Sequence, residues 1–217
     1  MEIRVASPSD YIVLRNLWHE EFGDSEEYID NLYNSLNATG YVLLEDEDIK
    51  SSLTVFSVGI YQDKIVNEIY AVCTKPDARY KGFASKLIKS VRDQIASENK
   101  IVMVCPAEET LIPFYEKLEF RNHFYISHAS MDAEKYISTE IKRNGSAQYN
   151  NYREKYLSKI PHIELNHQFT DYIISEDEIK AQQINLSKDA IVQGMIYSKD
   201  EIRINVDTYP YFGFPMK

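Results

Sequence analysis

The fold follows from residues 68–84, EIYAVCTKPDARYKGFA, in which a strand runs into a proline-led turn and a helix begins at a glycine. Such a turn presents backbone N–H groups at the start of the helix, where up to four donors lack partners within the helix. The helix dipole places about half a positive charge at the same point. This stretch therefore predicts a binding site for a phosphate or a similar anion.

Gly82 and a group of basic side chains support this interpretation. A Cβ at Gly82 would occupy space that a bound phosphate needs. Six basic residues surround the turn against the single acid Asp77, namely Lys75, Arg79, Lys81, Lys86, Lys89 and Arg92. Taken separately, the glycine could be an ordinary helix start and the basic residues a solvated helix face. Their coincidence with the strand-to-helix turn favours an anion site.

The flanking sequence, up to residue 127, predicts one mixed unit around this turn. Helices are expected after Ser7 and Ser25, and three successive strands, ending with residues 65–74, are typical of an antiparallel meander. The quoted turn then leads into a helix over 82–96 and a buried strand over 101–105. A helix over 108–118 and a strand near 124–126 close the unit. This order predicts an α/β fold with a strand–helix–strand crossover.

Residues 128–217 are expected to form a smaller α+β extension that packs on the first unit. We predict helices over 133–142, 148–160 and 167–174, and then a hairpin of residues 191–197 and 202–206. Near the end of the sequence stand four aromatic residues, Tyr209, Tyr211, Phe212 and Phe214. Each can bury on the order of 150–250 Å². We therefore expect residues 207–214 to pack against residues 1–127 or, in a homodimer, against a second copy of the chain.

Composition excludes several classes of protein. The 24 basic and 34 acidic residues give a net charge of −10, which would repel nucleic acids over most of the surface. No stretch approaches the roughly 18 apolar residues of a membrane span, so no membrane partner is expected. Two cysteines and an N-terminus without signal-peptide features predict a cytoplasmic protein. The five histidines lack the spacing of zinc ligands, which argues against a metal site.

Three short motifs resemble the GCN5-related N-acetyltransferase family. Arg79, Gly82 and Ala84 fit its R/Q-x-x-G-x-G/A motif, and the preceding strand ends in the similar pattern Ala-Val-x-Thr-x-Pro. About 30 residues downstream, Phe114-Tyr115 and Phe120 resemble its F-Y-x-x-x-G-F element, with Glu119 where the family has glycine. The resemblance covers residues 1–127. The whole chain looks like a bacterial subgroup of acetyltransferases with C-terminal extensions.

The resemblance implies a mixed central sheet flanked by helices, with residues 1–127 as the catalytic unit that binds acetyl-CoA. In the family the first motif binds the pyrophosphate of this cosubstrate, and no metal is involved. The implied cofactor-binding residues are Val72, Thr74, Arg79, Tyr80, Lys81, Gly82, Phe83, Ala84 and Ser85.

Acetyl transfer to an amine needs a proton acceptor. A lysine-like amine has a pKa of about 10.4, so at pH 7 its neutral form lies roughly 4.6 kcal/mol away. Glu68 lies fourteen residues before Gly82, a spacing at which some members of the family place a glutamate as general base. Strand alternation alone does not determine which face Glu68 occupies, so it could equally be a solvent-facing residue at a strand edge.

The departing thiolate needs a proton and the reaction's oxyanion needs a donor. Tyr115 matches the family tyrosine that acts as general acid, although the chain has 17 tyrosines and Tyr115 could instead pack in the core. The resemblance implies an oxyanion contact from a backbone N–H on the strand of residues 71–73, and Val72 is the expected donor. Cys73 and Cys105 lie near the ends of adjacent strands. We disfavour a covalent acyl-cysteine because no histidine is spaced to activate either thiol.

The sequence thus predicts an acetyl-CoA-dependent N-acetyltransferase that transfers the acetyl group to a primary amine by direct attack in a ternary complex. The acid excess favours a cationic acceptor, either a small molecule such as a polyamine or an aminoglycoside, or a peptide amine. Two alternatives remain open: a non-catalytic sensor that binds acyl-CoA, and an interaction module in which the glycine turn is only structural. The sensor would bind CoA without turnover, whereas the interaction module would not bind CoA.

Overall fold

The computed structural model describes residues 1–127, 145–157, 162–164, 171–173 and 190–202. These residues form nine strands and five α-helices. In chain order the elements are β1 (Glu2–Val5), α1 (Tyr11–Phe22), α2 (Glu26–Leu36), β2 (Thr39–Glu45), β3 (Asp48–Tyr61), β4 (Lys64–Thr74), α3 (Phe83–Ser97), β5 (Ile101–Val104), α4 (Ile112–Lys117), β6 (Arg121–Ser127), α5 (Ala147–Leu157), β7 (His162–Glu164), β8 (Asp171–Ile173) and β9 (Ala190–Tyr197).

Seven strands form one mixed sheet in the order β1-β2-β3-β4-β5-β9-β6. The first four strands are an antiparallel meander, as expected from the sequence. Strand β5 runs parallel to β4, which confirms the crossover through α3. Strand β9 lies between β5 and β6 and is antiparallel to both. The sheet therefore contains a strand from each side of the boundary predicted at residue 127.

Two hydrophobic cores lie on opposite faces of the sheet. One contains the inner residues of α1, α2 and α5, including Trp18, Leu32 and Tyr149. We call this the α5 face. The other contains the inner residues of α3 and α4, including Leu87 and Tyr115, and we call it the α3 face. Because side chains alternate along a strand, each strand contributes to both faces.

Most helix ends follow their local sequence signals. Helix α1 ends at Gly23, which has φ of 76°, and α2 begins at Ser25, whose side chain accepts a hydrogen bond from the N–H of Tyr28 at 3.2 Å. Helix α1 begins later than expected from Ser7. The Asp10 carboxylate accepts hydrogen bonds from both the N–H and the hydroxyl of Ser7 at 2.6 Å, which makes residues 7–10 a turn instead of a first helical turn.

The structure describes part of the predicted extension, residues 128–217. Helix α5 agrees with the helix expected over 148–160. The helix expected over 167–174 is wrong for residues 171–173, which form β8 and pair with β7. The helix over 133–142 and the aromatic segment 207–214 lie outside the described residues, as does the hairpin's second strand after Ile202.

Candidate active site

The turn between β4 and α3 has the backbone geometry of an anion cradle. Pro76–Ala78 form a short 3-10 helix, after which Tyr80 and Gly82 both have positive φ, of 64° and 79°. Apart from the residues next to it in the chain, no heavy atom lies within 4 Å of the position that a Cβ on Gly82 would occupy. Open space therefore adjoins this residue. The turn therefore combines a conformation that favours glycine with room beside the backbone, and both features suit a close approach by phosphate.

The predicted cofactor-binding residues all line this turn or the strand before it. Tyr80 and Lys81 are exposed, and Ala84 and Ser85 are half-buried in the first turn of α3. Phe83 is buried in the core of the α3 face, so only its backbone could face a ligand. Thr74 is half-buried and its carbonyl accepts a hydrogen bond from Nε of Arg79 at 3.3 Å.

The six basic residues around the turn divide into three groups. Lys75 pairs with Asp48 and Arg79 pairs with Glu21 of α1, each at 2.5 Å. Arg92 is 1% exposed, so it is a core residue and not part of a positive surface at the turn. It lies 3.9 Å from the ring centre of Tyr197 and pairs with Glu119 at 2.9 Å. The third group is Lys81, Lys86 and Lys89, which are exposed, as Arg79 is.

Strand β4 continues beyond the end of its pairing with β5. Their pairing ends at Ile69 and Val104, whereas β4 continues to Thr74. Beyond the last pair, Ala71 and Val72 lie opposite the single residue Leu53 of β3, because Tyr70 pairs with Thr54 and Cys73 pairs with Ser52. Ala71 has φ of 47°, as expected for a β-bulge. Residues 70–74 of β4 thus extend past the end of β5 at Val104, and we call the side of this segment that faces away from β3 the wedge. Val72, the predicted oxyanion donor, lies in this segment.

Glu68 is buried beside this wedge, on the α5 face. It lies between the paired residues Phe56 of β3 and Met103 of β5 and is 4% exposed. Burial raises the pKa of its carboxyl to about 7, and a hydrogen bond from the thiol of Cys105 partly counteracts this shift. The position of Glu68 excludes the alternative of a solvent-facing residue. A carboxyl that titrates near neutral pH is suited to proton transfer.

Tyr115 lies on the other face of the sheet. It is 9% exposed, and its ring is 5.1 Å from that of Phe114 and 5.9 Å from that of Phe120. Burial raises the pKa of its phenol to about 12, with a smaller contribution from Cys105. The phenol therefore remains protonated at neutral pH, as a general acid must. Its ring also packs in the core, so the structure accommodates both roles considered for it.

Cys105 lies near a titratable group on each face of the sheet, Glu68 on one and Tyr115 on the other. It follows β5 directly, one residue beyond the end of the pairing with β4, and is half-buried. Its thiol interacts with the carboxyl of Glu68 and lies within electrostatic reach of Tyr115. Cys73 differs, because it is 1% exposed and its thiol donates to the carbonyl oxygen of Ala71 at 3.3 Å. The hydrogen bond from Cys105 to Glu68 links the end of β5 to β4. No short sequence motif indicates this contact.

Helix α5 covers Glu68 on the α5 face. The ring of Tyr149 stacks on Phe56 at 6.3 Å, and Tyr149 interacts electrostatically with Glu68, Cys105, Arg153 and Tyr70. The helix is anchored at its start, where the N–H of Ser146 donates to the carbonyl of Val58 at 2.7 Å. Sequence analysis missed this contribution. The only local signal is the i, i+4 spacing of Tyr149 and Arg153, which places both on one side of a helix.

A separate cavity of about 540 Å³ lies between the N-terminus, α1 and the turn that joins β2 to β3. It contains none of the residues predicted for the site. Three of its acids are paired with its basic residues, Glu2 and Asp10 with Arg4 and Asp48 with Lys75. Its lining is Met1, Glu2, Arg4, Asp10, Val13, Leu44, Asp46, Glu47, Asp48, Ile49 and Lys75.

Comparisons with known proteins agree with this architecture. Residues 55–127, from β3 to β6, match the family model described as FR47-like protein. A probable N-acyltransferase of unknown function from Enterococcus faecalis has a similar structure, with a TM-score of 0.53 and 15% identity, over 75% of this chain and 38% of that one. This chain has the fold of the GCN5-related N-acetyltransferases. The α/β fold class with a mixed sheet flanked by helices is therefore confirmed.

Other structures with the GCN5-related fold match at lower scores. Tetrahymena GCN5 has a TM-score of 0.46 and 14% identity, over 67% of this chain and 92% of that one. An aminoglycoside acetyltransferase from an uncultured soil metagenomic sample has a TM-score of 0.49 and 20% identity, over 64% of this chain and 96% of that one. No curated protein matches the chain.

The described residues contain no group of three or more histidine, cysteine or acidic side chains that could hold a metal ion. Within the same ranges, every helix is too short or too polar to cross a bilayer.

Proposed function

We propose that this protein is an acetyl-CoA-dependent N-acetyltransferase that acetylates a primary amine by direct attack in a ternary complex. The observation that carries the proposal is the stretch of β4 that extends past the end of β5 and leads into the left-handed Gly82 turn at the start of α3. If residues 70–74 of β4 were paired with β5, their backbone N–H groups could not face a ligand on that side. If α3 began without the left-handed turn, the N–H groups at its start would be less open to a phosphate. The match of residues 55–127 to the FR47-like model supports the same conclusion.

The turn residues would hold the pyrophosphate of acetyl-CoA. The backbone from Gly82 to Ser85 supplies N–H donors at the start of a helix, where an anion is favoured. Lys81 and Lys86 are exposed near this point and would add attraction that weakens with salt. Arg79 already bonds to Glu21 and Thr74, so its first role would be to brace the turn against α1. The open space at Gly82 fits the group.

Three groups would carry out the transfer. Glu68 would accept a proton from the acceptor, because its pKa of about 7 is close to neutral. The N–H of Val72, on the edge of the wedge, would stabilise the oxyanion. Tyr115 would donate its phenolic proton to the departing sulfur. Residues 1–127 would form the catalytic unit, with β9 of the following region completing its sheet and α5 covering Glu68.

The excess of acid in the chain would favour a cationic acceptor, a small molecule or a peptide amine. We expect the protein to act in the cytoplasm, without nucleic acid, membrane or metal. A homodimer formed through the aromatic segment 207–214 remains a second arrangement to test, alongside docking of this segment on residues 1–127.

A binding experiment tests the phosphate turn. Gly82→Glu should abolish the increase in melting temperature that acetyl-CoA causes, because it adds bulk and negative charge at the cradle. Gly23→Glu is a matched control, since Gly23 also has positive φ, of 76°, and open space around its Cβ position. Both variants should lose similar stability, and only Gly82→Glu should lose acetyl-CoA binding. Equal binding in both variants would contradict the assignment.

A turnover experiment separates the enzyme from the sensor. The protein is mixed with acetyl-CoA and a panel of polyamines, aminoglycosides and peptide amines, and thiol release is measured. Tyr115→Phe should lower turnover by about 10- to 10,000-fold while acetyl-CoA binding is nearly unchanged. Binding without turnover across the whole panel would favour the acyl-CoA sensor. Equal turnover in the variant would return Tyr115 to a packing role.

A further inference from the structure

The carboxyl of Glu68 is poorly placed to touch an acceptor directly. It is 4% exposed, Phe56 and Met103 flank it in the sheet, and Tyr149 of α5 covers it. Cys105 is more accessible, because it lies half-buried beyond the end of the β4–β5 pairing. A proton that travels between the wedge and Glu68 therefore meets the thiol of Cys105 first.

The contacts of Cys105 point the same way. Its thiol donates a hydrogen bond to Glu68, the proposed base, and lies within electrostatic reach of Tyr115, the proposed acid. Tyr149 on α5 interacts electrostatically with both Glu68 and Cys105, and also with Tyr70 on β4 and Arg153 on α5. Among these groups, Cys105 is the one that the interactions join to both Glu68 and Tyr115.

We propose that Cys105 is a catalytic proton relay between the acceptor amine in the wedge and the buried carboxylate of Glu68. This inference rests on the proposed function. An ammonium N–H proton passes to Sγ of Cys105 while the thiol proton passes to Glu68, which leaves a neutral amine and a neutral carboxylic acid. The sulfur exchanges one proton for another and forms no bond to carbon.

The remaining steps balance without a further reactant. The neutral amine forms the C–N bond as the C–S bond of the thioester breaks, and Tyr115 gives its proton to the departing sulfur. The second N–H proton of the attacking nitrogen restores the phenol. Glu68 returns its proton to solvent through the same thiol, so one proton leaves in each cycle in which the acceptor enters as an ammonium ion.

Replacement of the thiol tests the relay. Cys105→Ala should lower kcat with the best amine of the panel by about 10- to 100-fold, within the range of general base catalysis, and leave the affinity for acetyl-CoA unchanged. Cys105→Ser keeps a hydroxyl that can donate and accept, so it should recover most of the lost rate. Cys73→Ala is the matched control, because it removes the other thiol, whose hydrogen bond goes to Ala71.

A double variant tests whether Cys105 acts through Glu68. The variant that combines Cys105→Ala with Glu68→Gln should be no slower than Glu68→Gln alone, because both changes interrupt one path. An additive loss would overturn the relay. So would Cys105→Ala with wild-type kcat, or an acetyl group found on Cys105 by mass spectrometry after mixing with acetyl-CoA alone, which would indicate a covalent carrier.

A measurement without turnover keeps the two proposals separate. Infrared titration of the Glu68 carboxyl, identified with Glu68→Gln, should show its midpoint at higher pH in Cys105→Ala and near the wild-type pH in Cys105→Ser, because the thiol stabilises the carboxylate. An unchanged midpoint in Cys105→Ala would overturn the relay even if no acceptor is found. Full turnover in Glu68→Gln would instead reject the proposed base. Loss in Glu68→Gln without loss in Cys105→Ala would reject the relay alone.

Discussion

The two faces of the sheet differ in the ionisable groups that they bury. The α3 face is largely aliphatic, with Leu43, Leu53, Leu87, Ile88 and Val91 nearly inaccessible to solvent. Both faces also bury aromatic rings and an arginine, with Phe120 and Arg92 on the α3 face and Trp18 and Arg153 on the α5 face. Among the described residues, Glu68 on the α5 face is the one carboxyl that lies buried in either core.

This difference indicates a division of labour. Hydrocarbon packing on the α3 face holds α3 rigidly against the sheet, which fixes the phosphate turn at its start. A buried carboxyl on the α5 face costs stability when it ionises, and proteins keep such groups where they act. The first face would therefore fix the position of the turn and supply the general acid, Tyr115, whereas the second would supply the general base, Glu68. Four predictions test this division.

The largest effect is expected for Leu87→Ala on the α3 face. Leu87 is fully buried, so its truncation should lower the free energy of unfolding by about 3–5 kcal/mol through lost burial and a cavity. Chemical denaturation measures this change. The Glu68 titration should stay at its wild-type midpoint, because Leu87 lies in the other core. A shifted midpoint would show that the two faces are coupled.

The next effect concerns Glu68 and pH. Its folded pKa of about 7 exceeds its ordinary value of 4.5, so the folded state holds the proton more tightly than the unfolded state. The resulting stabilisation is complete below about pH 4.5 and disappears as pH rises through 7. Relative to Glu68→Gln, the wild type should therefore lose about 3 kcal/mol between these limits. Denaturation of both proteins at several pH values measures it, and a pH-independent difference would contradict a buried, ionisable Glu68.

A smaller effect is expected for Arg92, the buried cation associated with the α3 face. Arg92→Met should lower the free energy of unfolding by about 2 kcal/mol, because it removes the hydrogen bond to the Leu118 carbonyl and the contact with the ring of Tyr197. Arg92→Lys tests the geometry, since a lysine cannot reproduce the planar contact. Wild-type stability in both variants would contradict this prediction, because it would show that the contacts of Arg92 do not stabilise the α3 face.

The smallest effect is expected for Glu119→Gly at the end of α4. Glu119 has φ of 63°, a conformation that costs a non-glycine residue roughly 1–2 kcal/mol. Its partly exposed ion pair with Arg92 offsets some of this cost. The glycine variant should therefore be more stable by less than about 1 kcal/mol. Thermal denaturation checks the sign, and a clear loss of stability would show that the ion pair contributes more than the backbone strain costs.

Much of the fold could be predicted because its signals are local. The glycine after α1, the serine before α2 and the glycine before α3 mark helix ends through backbone conformation or capping. The meander and the crossover follow from strand length and from the helix between parallel strands. Even the departure at Glu119 was local, since the residue keeps the left-handed conformation that the family motif assigns to glycine.

Other features escaped prediction because they depend on distant parts of the chain. The position of β9 between β5 and β6 brings together strands more than 60 residues apart, and no short pattern encodes that pairing. The basic residues looked alike in sequence, although Arg92 is buried and Lys81 is exposed. Residues 171–173 were expected to be helical, but pairing with β7 makes them a strand.

By itself, the sequence determined the phosphate turn, the flanking helix and strand, and the residue types able to move protons, because these depend on neighbouring residues and on side-chain chemistry. The tertiary structure decided which face Glu68 occupies, that α5 covers it and that Cys105 lies beside it. These relations arise from the register of β4 with β3 and β5 and from a helix some 80 residues away in the chain. Burial of Glu68 follows from that packing, and burial is what moves its pKa towards neutrality.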